Sequence, residues 1–451
     1  MDAILLSQLV KGFAVPKNDC FIKHVTSDSR DVVPGSVFIA IRGERVNGEK
    51  YAAGAVEKGA EFVITENHID DIPDEMQAIV PNVLDASIQM GANVRDTYDI
   101  DVIGVTGSMG KTTAKDFIYA AISPFAKTVK SEGNRNNELG MPKTIYGFTK
   151  EDRFAVLEMG MEALGDVHKL SLAAKPKAAV ITCIGISHLE RLKTRENILK
   201  AKLEMCDGMP ADGILVMNGD DDYLPQAQIT NPANVYYYGI KNTSADVVAK
   251  DIRTVGLTTQ FTIADKEYGE IPCVVPTIGD HNVLNALSAY TLVSRMGFDA
   301  RQVAANLAGY VVSGQRQKFV QKGDILFIED CYNAAPDSMK AAVDTIKTVG
   351  KGRTIAVFGD MMELGDDEAA LHRSVGEYAK EKGVDCVWTH GERAKHICAG
   401  FGEGALSFED KKQLGEYIIA NLQPQDTIVF KASHSRRFED IIEQVYKGLE
   451  K

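Results

Sequence analysis

A chain of 451 residues, 45% hydrophobic and 25% charged, has the make-up of a globular protein with about three domains, each able to bury a core. Its formal net charge of −13 argues against nucleic acid or an anionic membrane as a partner of the whole surface, and leaves room for a local basic pocket. The seven cysteines form no Cys-x-x-Cys pair, which speaks against structural zinc and for a reducing compartment. With no basic leader and no apolar run near the roughly 20 residues of a membrane span, a cytoplasmic protein is expected.

Taken in order, residues 1–98 form a first α/β block. Val37–Ile41 and Phe62–Ile64 read as short strands, and Ala52–Gly59 reads as a helix closed by a glycine. Ahead of them the polar turn Thr26-Ser27-Asp28-Ser29-Arg30 has groups suited to a phosphorylated or sugar ligand. On its residues alone an ordinary Asp/Ser turn is the better reading. Residues 99–313 form a second block, with strands at Val102–Val105, Phe154–Leu157, Ala178–Thr182 and Gly213–Met217. Continuous apolar strands alternating with helices predict a mainly parallel sheet covered on both faces. Tyr236-Tyr237-Tyr238 and Thr258–Ile263 read as antiparallel ribbon. Residues 314–451 form a third block of Rossmann type. Its strands are expected at Ile325–Ile328, Thr354–Phe358, Cys386–Trp388 and Thr427–Phe430, and its helices at Ser338–Val349, Glu368–Lys382 and Phe438–Leu449. It has no G-x-G-x-x-G turn, so a dinucleotide is not indicated.

The strongest signal lies between the strand at Val102–Val105 and the helix predicted over Ala114–Ile122. Thr106-Gly107-Ser108-Met109-Gly110-Lys111-Thr112-Thr113 is a glycine-rich turn whose backbone N–H groups and helix start can cradle phosphates. Lys111 would reach the β- and γ-phosphates and the Thr112 hydroxyl would sit on Mg²⁺. Val105 stands where the strict pattern wants its first glycine. Glu158, at the end of the next strand, is placed where ligands of parallel sheets gather and is expected to bind Mg²⁺. His188 lies beyond another strand end; a lone histidine is more often structural, and its position makes the two readings even. Lys202, among the apolar residues of the helix Glu196–Met205, reads as solvated or snorkelling. Asn282 and Asn285 share a helix face and could meet a purine edge or could simply cap the helix. Arg316 sits at the second domain boundary, where it could meet a phosphate or ribose across a cleft. Three polar loops, Asp330–Met339, Gly359–Gly365 and Lys431–Ser435, follow strands of the third block and suggest one active face.

Taken together, these motifs resemble the Mur ligase family along nearly the whole chain. The likeness is carried by Asp28-Ser29-Arg30, Thr106–Thr113, Gly133-Asn134-Arg135-Asn136-Asn137-Glu138-Leu139-Gly140, Glu158-Met159-Gly160 and His188-Leu189-Glu190. Ala201-Lys202, His281-Asn282 with Asn285, Arg316, Asp330-x-Tyr332-Asn333-x-x-Pro336-x-Ser338-Met339 and Gly359-Asp360-Met361-x-Glu363-Leu364-Gly365 complete it.

The resemblance implies three α/β domains: a UDP-substrate domain, a central ATP-binding domain with the phosphate loop, and a Rossmann-like domain presenting the incoming amine. It implies ATP, two Mg²⁺ ions and a carbamylated Lys202. It also implies a monomer that joins D-alanyl-D-alanine to UDP-N-acetylmuramoyl-tripeptide through an acyl phosphate, with sibling ligases of the family, including folylpolyglutamate synthase, as the alternative. By the same likeness Lys111, Glu158, His188 and Lys202 are catalytic, with Thr112, Glu158, His188 and Lys202 at the metals. The nucleotide falls to Gly107–Thr113, Asn282, Asn285, Arg316 and Asp330. Ser27, Asp28, Ser29, Arg30, Asn134, Asn136 and Asn137 take the UDP substrate. Tyr332, Asn333, Ser338, Asp360, Lys431 and His434 take the dipeptide. Met109 replaces a frequent asparagine. Lys431-Ala432-Ser433-His434 replaces the usual Lys-Gly-Ser-Arg, which leaves either His434 or Arg436 to meet the dipeptide carboxylate.

Overall fold

The computed structural model describes residues 1–43 and 46–450. The first domain holds a four-stranded parallel sheet in the order His24–Thr26, Ser36–Ile39, Ala60–Thr65, Gln77–Ile79. The helix Ala52–Glu57 stops where Gly59 turns left-handed at φ +102°, as the sequence suggests. The longer helix Val83–Arg95 starts at Asn82, whose side chain accepts from the backbone N–H groups of Leu84 and Asp85. Its apolar face closes on the helix Gly140–Ile145, with Gly91 tight against Pro142. One continuous hydrophobic cluster runs from Val37 and Phe62 to Leu157 and Ile181, so the first two domains have separate sheets and a shared core.

The central sheet has nine strands, ordered Gly269–Val275, Thr258–Asp265, Val247–Val255, Asn234–Gly239, Ile214–Asn218, Ala178–Ile181, Asp101–Thr106, Phe154–Glu158, Thr128–Lys130. The helices Lys111–Ile122 and Asp280–Arg295 cover one face. Asp166–Ala174 and Arg195–Leu203 cover the other. One expectation is corrected here. Asn234–Gly239, which contains the three tyrosines, pairs parallel with both neighbours, and antiparallel pairing begins only at Val247–Val255. Tyr237 packs into the core on one side and Tyr236 into the core on the other. Burial on both faces is the habit of a parallel strand, and pairing direction leaves no local mark in three consecutive aromatics.

Where the helix Asp280–Arg295 ends, Arg295 grips Asp265 with two bonds of 2.8 and 3.0 Å, and Tyr290 adds a third at 3.0 Å. Both charged side chains are almost wholly buried, at 3% and 0% exposure. Burial alone would raise the Asp265 carboxyl; the Arg295 guanidinium and the Glu267 backbone N–H more than offset this and hold it below its ordinary value. The pair's contribution is therefore present at neutral pH and lost as acid protonates Asp265. Arg295→Ala strands a buried carboxylate and is expected to destabilise the central domain by about 3–5 kcal/mol, read as a shifted denaturant midpoint.

The third domain is a six-stranded sheet in the order Lys318–Lys322, Ile325–Glu329, Thr427–Lys431, Thr354–Gly359, Cys386–His390, Ala405–Phe408. It is parallel apart from the first hairpin. Pro336–Val349, Glu368–Glu381 and Lys395–Phe401 pack on one face. Lys411–Asn421 and Glu439–Leu449 pack on the other. Among the described residues no helix is long and apolar enough to cross a membrane.

Candidate active site

The phosphate loop joins the strand Asp101–Thr106 to the helix Lys111–Ile122. Its shape depends on two glycines. Gly107 has φ +148° and a Cβ there would fall 1.8 Å from Thr182 Oγ1; Gly110 has φ +77° and its Cβ would fall 2.6 Å from Asn285 Oδ1. Thr182 also donates its hydroxyl to the Met109 carbonyl. The loop is thus walled by the end of a neighbouring strand and by the helix that carries Asn285. Gly107→Ala combines a clash with an unfavourable backbone and is expected to weaken nucleotide binding by about tenfold or more, measured by calorimetric titration with ADP.

Lys111 folds back on the loop, its Nζ donating to the Gly107 carbonyl at 2.8 Å. Burial lowers its pKa, opposed by nearby Glu158. Glu158 is fixed from three sides. Thr112 Oγ1 donates to Oε2 at 2.7 Å, Asn136 Nδ2 donates to Oε1 at 2.9 Å, and its backbone N–H donates to Ser131 Oγ at 3.1 Å. A fourth group, Lys115, is buried with Nζ 4.0 Å from Glu158 Oε2 and 2.8 Å from the Ser131 carbonyl. Sequence reasoning passed over Lys115. The available signal was its spacing, one turn beyond Thr112 on the same helix face.

Between the second and third domains lies a cleft of about 910 Å³, large enough for a nucleotide with part of a second substrate. The structure brings to its lining Ser108, Met109, Gly110, Lys111, Thr112 and Thr113, then Asn134, Asn136, Asn137, Glu158 and His188. Asn282, Asn285 and Arg316 follow, and the third domain adds Asp330, Tyr332, Asn333, Ser338 and Lys431. The Arg316 guanidinium carbon sits over the Tyr332 ring, 3.6 Å from its centroid, and His434 stacks with the same tyrosine at 5.5 Å. Lys431 Nζ meets Asp330 Oδ2 at 2.7 Å. His188, in a left-handed conformation, reaches across to Glu363 of the third domain with Nδ1 2.8 Å from Oε2.

Several candidates are occupied otherwise. Asn136, named for the UDP substrate, holds Glu158. Asn137 Oδ1 accepts from the backbone N–H groups of Leu139 and Gly140, and Ser338 Oγ exchanges bonds with the Ala335 backbone at the start of its helix. Asp360 is buried, accepting from the backbone N–H groups of Arg393 and Ala394 and pairing with Arg436 at 3.2 Å. Gly107, Lys202, Asp360, His434 and the Ser27–Arg30 turn lie outside the cleft lining. In that turn Asp28 accepts from the Arg30 backbone and pairs with its guanidinium at 2.6 Å.

Lys202 overturns the reading from composition. It is 1% exposed, neither solvated nor snorkelling. Burial and then the like charge of Lys111 push its pKa well below the ordinary lysine value, with Cys183 opposing weakly. No carboxylate is among those influences.

A phosphate loop on a parallel sheet, a buried carboxylate against its threonine and a Rossmann-like domain across the cleft define an ATP-dependent ligase architecture. Family models agree over most of the chain: the Mur ligase family catalytic domain at residues 21–96, the Mur ligase middle domain at 105–293, and the Mur ligase glutamate ligase domain at 315–434. The chain belongs to the Mur ligase family. It is 35% identical to the UDP-N-acetylmuramoyl-tripeptide–D-alanyl-D-alanine ligase of Bacillus subtilis, over 98% of each chain. It is 31% identical to the ligase of the same name from Escherichia coli, again over 98% of each. A crystal structure of MurF from Acinetobacter baumannii matches with a TM-score of 0.90 at 29% identity, covering 99% of this chain and 98% of that one. MurF from Thermotoga maritima in complex with ADP matches with a TM-score of 0.86 at 26% identity, covering 95% and 98%.

Proposed function

We propose that this chain is a cytoplasmic, ADP-forming ligase that joins D-alanyl-D-alanine to UDP-N-acetylmuramoyl-tripeptide, supplying the pentapeptide precursor for peptidoglycan synthesis. The observation that carries it is the full-length match to ligases of that name, on a chain that keeps Lys111, Thr112 and Glu158 in one constellation.

The chemistry follows from what must react. A peptide carboxylate is a poor electrophile and is activated by taking the γ-phosphoryl group of ATP. Two anions must meet, and Lys111 supplies positive charge beside the phosphate loop. The dipeptide amine then attacks the acyl phosphate, the amide forms, and phosphate leaves. Arg316 and Lys431 line the cleft where that charge is handled, and closing the cleft keeps water from the activated acid.

Among the described residues no three His, Cys, Asp or Glu side chains converge as a metal cage. Mg²⁺ takes one or two protein oxygens and completes its shell with phosphate and water. Thr112 Oγ1 and Glu158 Oε2, 2.7 Å apart, are the fitting pair for the first ion. Bound Mg²⁺ would offset phosphate charge during transfer. A second ion would fall to His188 and Lys202, the latter only once its amine carries a carboxylate. Its amine would gain that carboxylate by adding, in its neutral form, to CO₂: the N–C bond forms, a proton leaves nitrogen, and a carboxylate results. Labelling with ¹³C-bicarbonate should give a carbamate resonance in the wild type that Lys202→Ala lacks.

The deciding assay follows phosphate release from ATP with UDP-N-acetylmuramoyl-tripeptide. Release that depends on D-alanyl-D-alanine supports the assignment. Release driven by a single amino acid assigns the chain to a sibling reaction.

A further inference from the structure

Gln317 is one of the residues through which the second and third domains meet. It follows Arg316 directly and has φ +50°, a conformation that a non-glycine residue keeps only where its surroundings impose it. Its side chain is nine-tenths buried and both ends of its amide are used. Oε1 accepts from Thr277 Oγ1 at 2.6 Å and from Asn282 Nδ2 at 2.7 Å. Nε2 donates to the Ile278 carbonyl at 3.0 Å and to Thr345 Oγ1 at 2.9 Å. Its backbone N–H donates to Asp330 Oδ1 at 3.3 Å.

Thr277, Ile278 and Asn282 belong to the central domain, while Thr345 and Asp330 belong to the third. Thr345 passes its own hydroxyl proton to the Ala341 carbonyl at 2.9 Å, so it is free to accept from Gln317. Donors and acceptors therefore match on both sides of the boundary.

The contacts lead in two directions. Asn282 opens the helix whose next turn sets Asn285 against Gly110 of the phosphate loop. With Thr277 Oγ1 at 2.9 Å, the Ile278 carbonyl at 2.8 Å and Gln317 Oε1 at 2.7 Å, its amide protons are spent inside the protein. Asp330 holds Lys431 on the opposite wall. We infer that Gln317 is a positioning residue for ligation: it fixes the third domain's amine-presenting face relative to the phosphate cradle, acting through Asn282 on one side and Thr345 and Asp330 on the other.

This rests on the two-stage ligation proposed above, in which the activated acid waits for an amine brought by another domain. If the amine is misplaced, the acid is still phosphorylated and water has longer to reach it. The diagnostic quantity is thus the phosphate released per amide formed, which a general loss of folded enzyme would not change.

The test compares the full-length wild type with Gln317→Leu and the milder Thr345→Val. Wild type should release one phosphate per amide. In Gln317→Leu amide formation should fall about tenfold, since small misplacements of reacting groups cost up to ~100-fold. The KM for ATP should stay within about twofold and the phosphate-to-amide ratio should rise well above one. Thr345→Val should move the ratio the same way by less. Small-angle scattering of the same proteins gives a reading that needs no substrate: a broader distribution of interdomain distances in Gln317→Leu is expected. A variant that keeps both the unit ratio and the wild-type scattering profile overturns the inference, as does a loss of amide formation that only tracks a lowered melting temperature. A wild type that makes no amide with D-alanyl-D-alanine refutes the assigned reaction instead, and the scattering result still decides the part played by Gln317.

Discussion

Glu158→Gln is expected to lower turnover by roughly 100- to 1000-fold, the range seen when a preorganised charge-stabilising group is removed. The carboxylate accepts from Thr112 at Oε2 and from Asn136 at Oε1. An amide in its place must turn an NH₂ toward one of these donors. Asn136 cannot reverse its role without rotating its own amide, so the Thr112 hydroxyl would become the acceptor, spending one of its lone pairs on an NH₂ that stands where a carboxylate oxygen faced the cation. Two oxygens suited to one Mg²⁺ are then compromised by a single atom change, while side-chain volume and the surrounding core are kept. The measurement is phosphate release across a Mg²⁺ titration, with thermal unfolding as the control for folding. Turnover within tenfold of wild type at an unchanged Mg²⁺ requirement would remove Glu158 from the metal site.

Lys202→Ala should likewise abolish most activity, by about 100-fold or more, and added bicarbonate should not restore it because the amine that would capture CO₂ is gone. The physical basis is the near-complete burial of Lys202 with no carboxylate among the groups that bear on it. A lysine in that position is a poor structural cation and a good carbamate precursor. Near-normal turnover in the variant would take the carbamate out of the mechanism.

Much of the fold was legible because buried parallel strands are written as short apolar runs. Val102–Val105, Ala178–Thr182 and Thr354–Phe358 lie within a residue or two of the strands that form. Lys318–Lys322 and Ala405–Phe408 escaped notice because they are edge strands with mixed polar and apolar residues and much exposed surface. The parallel pairing of the tyrosine strand is a tertiary choice that its residues do not encode. At the site, the phosphate loop was readable because its glycines are demanded locally by backbone geometry. The burial of Lys202 depends on what packs around its helix, and the role of Gln317 on a boundary between two domains. Both are set by residues far away in sequence, and neither residue type announces its surroundings.

The walls of the phosphate loop come from distant parts of the chain: Thr182 stands against Gly107, and Asn285 stands against Gly110. During synthesis the whole glycine-rich segment is therefore made well before it has a shape. A truncated product ending ahead of residue 277 would contain every residue of the motif yet lack the helix that backs it. Nucleotide affinity in such a series of fragments should arrive as a step when that helix is completed, which makes triphosphate binding a late milestone of maturation for this enzyme.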